Sequence, residues 1–275
     1  GHADYTFDQK YGFRDYRGGG RSSGRETIAR VAAGAIACRL LESLGITVRA
    51  YTREVGGIGI DRERFDLEEM WNNRLYMPDA RAAAQAEARL EELMGRKDSC
   101  GGVVECIIRG MPAGAGEPVF EKLDANLAKA MLSIGAVKGF EIGDGFGASR
   151  ACGSGNNDGF CIYGEGKDGS LHLNGRVGKR TNHSGGTLGG ISDGSDIVMR
   201  AAFKPTPSIA QPQHTVNRKG EETVVEIKGR HDPIIVPRAV VVVEAMAALT
   251  AADVLLLSMT SRLDRVQEFF ARDRV

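Results

Sequence analysis

The sequence predicts an α+β fold whose strands pair largely antiparallel. Segments with helical spacing and strand-like segments are mixed along the 275 residues. The strand-like segments near the C-terminal end form hairpin-like pairs, which favours antiparallel sheet over a doubly wound parallel sheet. A hydrophobic content of 42% supplies enough apolar material for a large core, and no proline-rich linker divides the chain. We therefore expect a single domain over residues 1–275.

The first half of the chain predicts two helices and two strands. Ser23-Gly24-Arg25-Glu26 is a capping box followed by apolar residues at helical spacing, so a helix is expected from Ser23 to Gly45. Residues 46–51 alternate like a strand, and residues 79–94 form an Ala/Glu/Arg-rich helix that the next glycine stops. A β-rich run predicts a strand over residues 103–108.

The second half predicts a helix, a long glycine-rich region, two strands and a final long helix. Pro118 suits a first helical position, and the helix that it opens is expected to end near Gly135. Glycine recurs from residue 143 to residue 190, so only short strands are expected there. Strands are predicted over residues 197–203 and 223–228, followed by a helix from Arg238 to about Phe270.

Charge and composition exclude several classes of protein. Lys and Arg total 36 and Asp and Glu total 36, so the net charge of zero removes the long-range attraction of a general nucleic-acid binder. The 36 basic residues are 26 arginines and 10 lysines. This excess of arginine suits bidentate recognition of carboxylate or phosphate, and a genomic composition bias is the alternative.

The cysteines and the most apolar segment predict a cytoplasmic protein outside the membrane. The five cysteines form no C-x-x-C pair, which favours reduced thiols. Glu244 and Asp253 interrupt the apolar run over residues 239–257, so this run is interpreted as a buried helix and not as a membrane span. No cysteine and histidine spacing predicts a metal site.

A glycine- and arginine-rich segment leads directly into the first predicted helix. Three glycines, Gly18 to Gly20, leave backbone N–H groups open, and Arg14, Arg17 and Arg21 supply guanidinium groups at the helix N-terminus. The pattern predicts a phosphate or polycarboxylate site. It matches neither the P-loop nor the Rossmann fingerprint. A flexible surface turn with solvated arginines is the alternative reading.

Four further stretches contain candidate functional residues. His2 lies beside Asp4 and is a candidate for proton transfer, although a lone histidine is more often structural. Residues 204–208, Lys-Pro-Thr-Pro-Ser, form a rigid turn beside a cation or an ordinary strand exit. Asp232, in Gly229-Arg230-His231-Asp232-Pro233, is a candidate base or a helix cap. Residues 182–192 are a glycine-rich turn that permits close backbone approach to a ligand.

Taken in order, these stretches resemble the chorismate synthase family. The resemblance runs from Gly1 to about Leu257 through the motifs above and through Val137-Lys138-Gly139-Phe140-Glu141-Ile142-Gly143. It implies a lyase that converts 5-enolpyruvylshikimate 3-phosphate to chorismate by an anti-1,4-elimination of phosphate, using reduced FMN with no net redox change. It also implies a β-α-β sandwich, with long helices between antiparallel sheets, assembled as a homotetramer.

The resemblance also implies roles for individual residues. His2 would protonate the reduced flavin, and Asp232 would help move a proton from flavin N5. The residues that would contact FMN are Arg21, Ser22, Ser23, Gly135, Ala136, Gly189, Lys204, Pro205, Thr206, Pro207, Ser208 and Arg230. Whether the flavin is reduced by NAD(P)H on the protein or by a separate flavin reductase stays open.

The sequence departs from the family in ways that leave a second hypothesis open. The family has a further N-terminal portion, with another catalytic histidine and substrate-binding arginines, that this chain does not contain. Ile234 stands where the family commonly has cysteine, and Gly164-Glu165-Gly166-Lys167-Asp168-Gly169 matches only loosely. The alternative is therefore a non-catalytic flavin- or phosphate-binding relative of the enzyme.

Overall fold

The computed structural model describes residues 3–162, 177–227 and 232–271. Its helices are α1 (Asp4–Tyr11), α2 (Thr27–Ser43), α3 (Ala80–Gly95), α4 (Leu123–Leu132), α5 (Gly153–Asn156), α6 (Val236–Ser258) and α7 (Leu263–Ala271). Its strands are β1 (Thr47–Val55), β2 (Ile58–Gly59), β3 (Gly102–Arg109), β4 (Val137–Ile142), β5 (Phe160–Ile162), β6 (Val177–Lys179), β7 (Thr187–Leu188), β8 (Ile191–Ser192), β9 (Ile197–Phe203), β10 (Gln213–Val216) and β11 (Glu222–Val225).

A five-stranded antiparallel sheet of order β2-β1-β3-β9-β4 organises the molecule. Gly102 of β3 pairs with Phe203 of β9, and Phe203 pairs with Val137 of β4. The strand ends at this side of the sheet are called the Gly102 end. The strand ends at the other side, where Arg109 of β3 pairs with Thr47 of β1, are called the Arg109 end. Three two-stranded ribbons, β5-β6, β7-β8 and β10-β11, complete the strands described.

Helices α2 and α6 pack on one face of the sheet because its alternate residues are apolar. Val104, Cys106 and Ile108 of β3 are fully buried on that face. The two helices cross at Gly34, where an added Cβ would lie 2.3 Å from the Cβ of Ala245. Glu244 of α6 accepts a hydrogen bond from the N–H of Ala50 at 2.9 Å. This bond gives a partner to one backbone N–H on the side of β1 that faces away from β3.

The outward surface of the helix layer remains apolar. On α2, Ile28 and Ile36 are 73% and 74% exposed, and Leu40 and the C-cap residue Leu44 are also exposed. On α6, Leu256 is 50% exposed. Among the described helices, α6 is long and apolar enough to cross a membrane, and half of its most apolar window is buried in the protein. Burial against the sheet agrees with its interpretation as a core helix.

The mixed architecture with antiparallel sheets is confirmed, and the predicted starts of two helices are wrong. Residues 24–26 form a 3₁₀ turn in which the Ser23 hydroxyl accepts from the N–H of Arg25, and the α-helix begins at Thr27. The Glu26 carboxylate pairs with Arg30. Pro118 precedes another 3₁₀ turn, and α4 begins only at Leu123, because Val119 has a left-handed φ of 66° and Lys122 is extended.

The final predicted helix is divided in two. It begins at Val236, ends at Ser258 and is followed by α7 from Leu263. The N–H groups of Met259, Thr260 and Ser261 donate to carbonyl groups three residues back instead of four, so the last turn tightens and the α-helix does not continue. The other predicted helix and strands are confirmed within a residue or a few residues, except that Lys228 lies outside the described residues.

Candidate active site

Several candidate residues meet at the Gly102 end of the sheet. The N–H of Lys204, which directly follows β9, donates to the carbonyl of Ala136 at 3.0 Å. This bond brings the Gly135–Ala136 turn beside the 204–208 segment. Ala136 has a left-handed φ of 72°. A non-glycine residue held in this region costs on the order of 1 kcal/mol, so the turn conformation is imposed by its surroundings.

Residues 204–208 form a turn that is held by hydrogen bonds and contains one hydroxyl group without a partner among the described residues. The Ser99 hydroxyl donates to the carbonyl of Thr206 at 2.7 Å, and the Ile209 N–H donates to the carbonyl of Pro207 at 3.1 Å. The Oγ1 atom of Thr206 is buried and has no hydrogen-bond partner among the described residues. An unpartnered buried hydroxyl is costly in a folded protein, so this atom retains unused hydrogen-bonding capacity beside the Gly135–Ala136 turn.

Asp232 reaches the same end of the sheet through Cys100. The N–H of Cys100, next to Ser99, donates to the carbonyl of Pro233 at 3.0 Å. The Asp232 carboxylate pairs with Arg238 at 2.6 Å and is 34% exposed. Asp232 does not cap α6, whose N-cap residue is Ile235, so the helix-cap alternative is wrong. Its carboxylate is oriented by a cation and open to solvent.

The arginine- and glycine-rich N-terminal segment forms a surface turn. Residues 20–22 form a 3₁₀ turn in which Gly20 has a left-handed φ of 52°. Arg21 and Ser22 are exposed, and Ser23 is half-buried. Arg30, further along α2, donates to the Ser133 hydroxyl at 2.6 Å, two residues before Gly135. This contact ties the first part of α2 to the Gly102 end.

Gly189 lies away from this cluster. It forms the turn of the β7-β8 hairpin with Gly190, and their φ values of 62° and 88° suit a type I′ turn. The Gly190 carbonyl accepts from the N–H of Leu123, the first residue of α4, whereas Gly135 follows the last turn of α4. The ten residues of α4 separate the two positions by about 15 Å. Within one chain, the structure does not bring Gly189 to the Gly102 end.

The face of the sheet opposite α2 and α6 carries a network of charged residues that the sequence did not reveal. Glu105, 3% exposed, accepts from Tyr51 and pairs with Arg53 at 2.7 Å and Arg200 at 3.5 Å. Burial raises the pKa of Tyr51 far above its usual value, and Glu105 adds to the shift. Glu141 pairs with Arg200 at 3.0 Å. Only the strand register brings these residues together, so no sequence motif could have identified them.

Some candidate residues lie outside the described part of the chain. These are His2, Arg230 and the 164–169 stretch. Among the described residues, no group of three or more His, Cys, Asp or Glu side chains could hold a metal ion.

The fold and these turns define an α+β protein that carries glycine-rich and cation-bearing turns around an antiparallel sheet. The family model described as chorismate synthase matches residues 1–256. A chorismate synthase of Agathobacter rectalis is 61% identical over 272 residues, which cover 99% of this chain and 71% of that protein. One of Lachnospira eligens is 63% identical, with 99% and 72% covered.

Comparison of three-dimensional structures agrees. A crystal structure of chorismate synthase superposes with a TM-score of 0.74 at 29% sequence identity and covers 96% of this chain and 74% of that one. The chain therefore belongs to the chorismate synthase family and is a carbon–oxygen lyase of that family.

The residues present fit a flavin phosphate or another anionic group at the Gly102 end. Lys204 supplies a cation, and Thr206 supplies a buried hydroxyl without a partner. The Gly135–Ala136 turn lies directly against this segment. These are the donors that an oxyanion requires.

Proposed function

We propose that this chain catalyses the anti-1,4-elimination of phosphate from 5-enolpyruvylshikimate 3-phosphate to give chorismate, with reduced FMN as cofactor. The observation that carries this proposal is the meeting of the Gly135–Ala136 turn, residues 204–208 and Asp232 at one end of the sheet. Membership of the chorismate synthase family supports it independently.

The flavin would be held by residues of the Gly102 end. Thr206 and Lys204 would bind anionic oxygens, Ser22 and Ser23 would add hydroxyl donors, and the Gly135–Ala136 turn would admit close approach of the ligand. Arg21 and Arg230 would supply further cations. Reduced FMN supplies electron density to the reacting substrate and returns to its starting state.

The protein groups would position the substrate and move protons. Asp232 would help move a proton from flavin N5: Arg238 orients the carboxylate by holding one of its oxygens at 2.6 Å, and the group stays partly open to solvent. His2 would act as the proton donor to the flavin. The substrate carries two carboxylates and a phosphate, so guanidinium groups would hold it against the cofactor.

We also propose an assembly that accounts for two features of the chain. The separation of Gly189 from the Gly102 end is explained if Gly189 completes the flavin site of a partner subunit in a homotetramer. The exposed apolar surface of α2 and α6 is explained if a second sheet covers it, which would make the single domain a β-α-β sandwich. The enzyme would be cytoplasmic and outside the membrane, with reduced flavin supplied by NADPH or a flavin reductase.

The test supplies the full-length gene product with reduced FMN and 5-enolpyruvylshikimate 3-phosphate. The rate of chorismate formation is measured. His2→Ala and Asp232→Ala should each lower turnover and leave the affinity for oxidised FMN near wild type. Asp264→Ala is the matched control, because Asp264 of α7 forms a similar exposed pair with Arg262, which precedes the helix. Tight flavin binding without turnover in the wild type would favour the non-catalytic alternative, and normal turnover in both variants would remove the assigned roles.

A further inference from the structure

Lys179 is a fully buried cation between two carboxylates. Its side chain is 0% exposed, and its Nζ lies 3.0 Å from Asp158 and 2.7 Å from Asp193, which are also nearly fully buried. The Ser184 hydroxyl is a third partner at 2.8 Å, and Asn182 lies at 3.5 Å. Burial of this kind is costly unless every charge is paired, so the ammonium and both carboxylates depend on one another.

One of these carboxylates fixes the base of the β7-β8 hairpin. Asp193 directly follows β8, and its N–H donates to the carbonyl of Gly186, which directly precedes β7, at 3.1 Å. The N–H of Gly186 donates to the Asn182 side chain at 2.8 Å. The two ends of the hairpin are therefore joined to each other and to the Lys179 ammonium. Gly189 lies at the turn of this hairpin, three residues from its base.

The other carboxylate joins the hairpin base to the β5-β6 ribbon. Asp158 precedes β5 and accepts from the N–H groups of His183 at 2.7 Å and Ser184 at 2.9 Å. Burial raises the pKa of Asp158, but these hydrogen bonds and those from the Ser184 and Thr181 hydroxyls outweigh it and bring the pKa well below its usual value. Asp158 is therefore a carboxylate in the folded protein.

We propose that Lys179 is a positioning residue of the flavin site, which sets the place of Gly189 by fixing the base of the hairpin that carries it. This inference rests on the proposed contact between Gly189 and FMN. Lys179 has no exposed surface, so it acts through Asp193 and Asp158 and not on the ligand itself. At Gly189 an added Cβ would have no atom within 4 Å, so this turn is open for an approaching ligand.

Removal of the ammonium should displace the hairpin without removing any group from the Gly102 end. Lys179→Met leaves Asp158 and Asp193 facing each other without a cation, and their repulsion should separate the hairpin base from the ribbon. The affinity for FMN should fall about tenfold or more, the loss of roughly one hydrogen bond to a charged ligand. Turnover at saturating FMN should stay near wild type, because His2 and Asp232 are unaltered.

The experiment compares Lys179→Met, Lys179→Arg and the control Arg180→Met in the full-length protein. Arg180 is the neighbouring exposed cation, so its variant removes the same charge from the surface. The apparent KM for FMN, the turnover at saturating FMN and the melting temperature are measured for each. We expect a raised KM for FMN in Lys179→Met, partial restoration in Lys179→Arg and wild-type values in Arg180→Met.

Several outcomes would overturn the assignment. An unchanged KM for FMN in a folded Lys179→Met variant would overturn it, as would a loss confined to turnover at saturating FMN. If Lys179→Met does not fold, Lys179→Arg decides, because a wild-type KM for FMN in that variant, with a lowered melting temperature, indicates a purely structural role. Failure of the wild-type protein to bind FMN would instead refute the proposed function.

Discussion

Replacement of Thr206 by valine should stabilise the free protein and weaken its binding of FMN. Valine has nearly the same shape as threonine but lacks the hydroxyl, and the Oγ1 atom of Thr206 is buried without a partner among the described residues. A buried polar group without a hydrogen bond costs about 1–3 kcal/mol. Removal of that cost should raise the melting temperature of the flavin-free protein by about 2–4 °C for each kcal/mol.

The effect on the ligand should have the opposite sign. If the Thr206 hydroxyl bonds an anionic oxygen of FMN, its loss removes a charged hydrogen bond worth about 1.5–3 kcal/mol, which is about a 10- to 100-fold loss of affinity. The two assays are thermal unfolding without flavin and titration with FMN followed by flavin fluorescence. The prediction is thus a gain of stability together with a loss of affinity from a single substitution.

Thr52→Val provides the matched control. The Oγ1 atom of Thr52 is also buried without a partner among the described residues, but Thr52 lies on β1 and is no part of the candidate site. This variant should gain stability and bind FMN like wild type. The reasoning is refuted if Thr206→Val loses stability, or if both variants bind FMN equally well.

The remaining predictions concern stability. Gly34→Ala should destabilise the protein by about 1–3 kcal/mol, because the new Cβ would lie 2.3 Å from that of Ala245, and thermal unfolding checks this against Gly95→Ala, which adds a Cβ in open space. Asp79 is 1% exposed, caps α3 and accepts a hydrogen bond from the N–H of Asp61. Burial raises the pKa of its carboxyl, but the hydrogen bonds outweigh burial and lower the pKa to about 2. Because the folded pKa lies below the unfolded value, Asp79 contributes about 2 kcal/mol above pH 4 that is lost as the pH falls toward 2. Denaturant unfolding of wild type and Asp79→Ala should therefore converge in acid, and a constant difference would contradict the assignment.

The sequence was sufficient for elements with strong local signals. Helix α3 begins after Asp79, whose side chain accepts from the N–H groups of Arg81 and Ala82, and this cap is visible as an aspartate before an Ala-rich periodic segment. The start of α4 was predicted wrongly because Val119 has a left-handed backbone conformation. Valine normally avoids this conformation, so the sequence gives no sign of it. The division between α6 and α7 was not predicted because neither proline nor glycine marks it: α6 ends in a turn of three-residue hydrogen bonds over residues 259–261, which leaves no sequence signal.

The candidate site was predictable where the residues form motifs, and not where the fold alone joins them. Residues 204–208 and Asp232 became candidates through their sequence patterns, and the structure places both at the Gly102 end. The placement of Lys179 between Asp158 and Asp193 was not, because 21 residues separate Asp158 from Lys179 and 14 separate Lys179 from Asp193, and only the folded ribbon and hairpin bring them together. A lysine in a glycine-rich region gives no sign that it is buried.

The position of β9 in the sheet has a consequence for synthesis of the protein. β9 pairs with both β3 and β4, yet it ends at Phe203, far later in the chain than either neighbour. On a ribosome that adds about 5–20 residues per second, the β3 edge waits several seconds or more for its partner. During that interval the nascent chain has an open hydrophobic edge, so we expect its yield in cells to depend on chaperones that bind emerging chains.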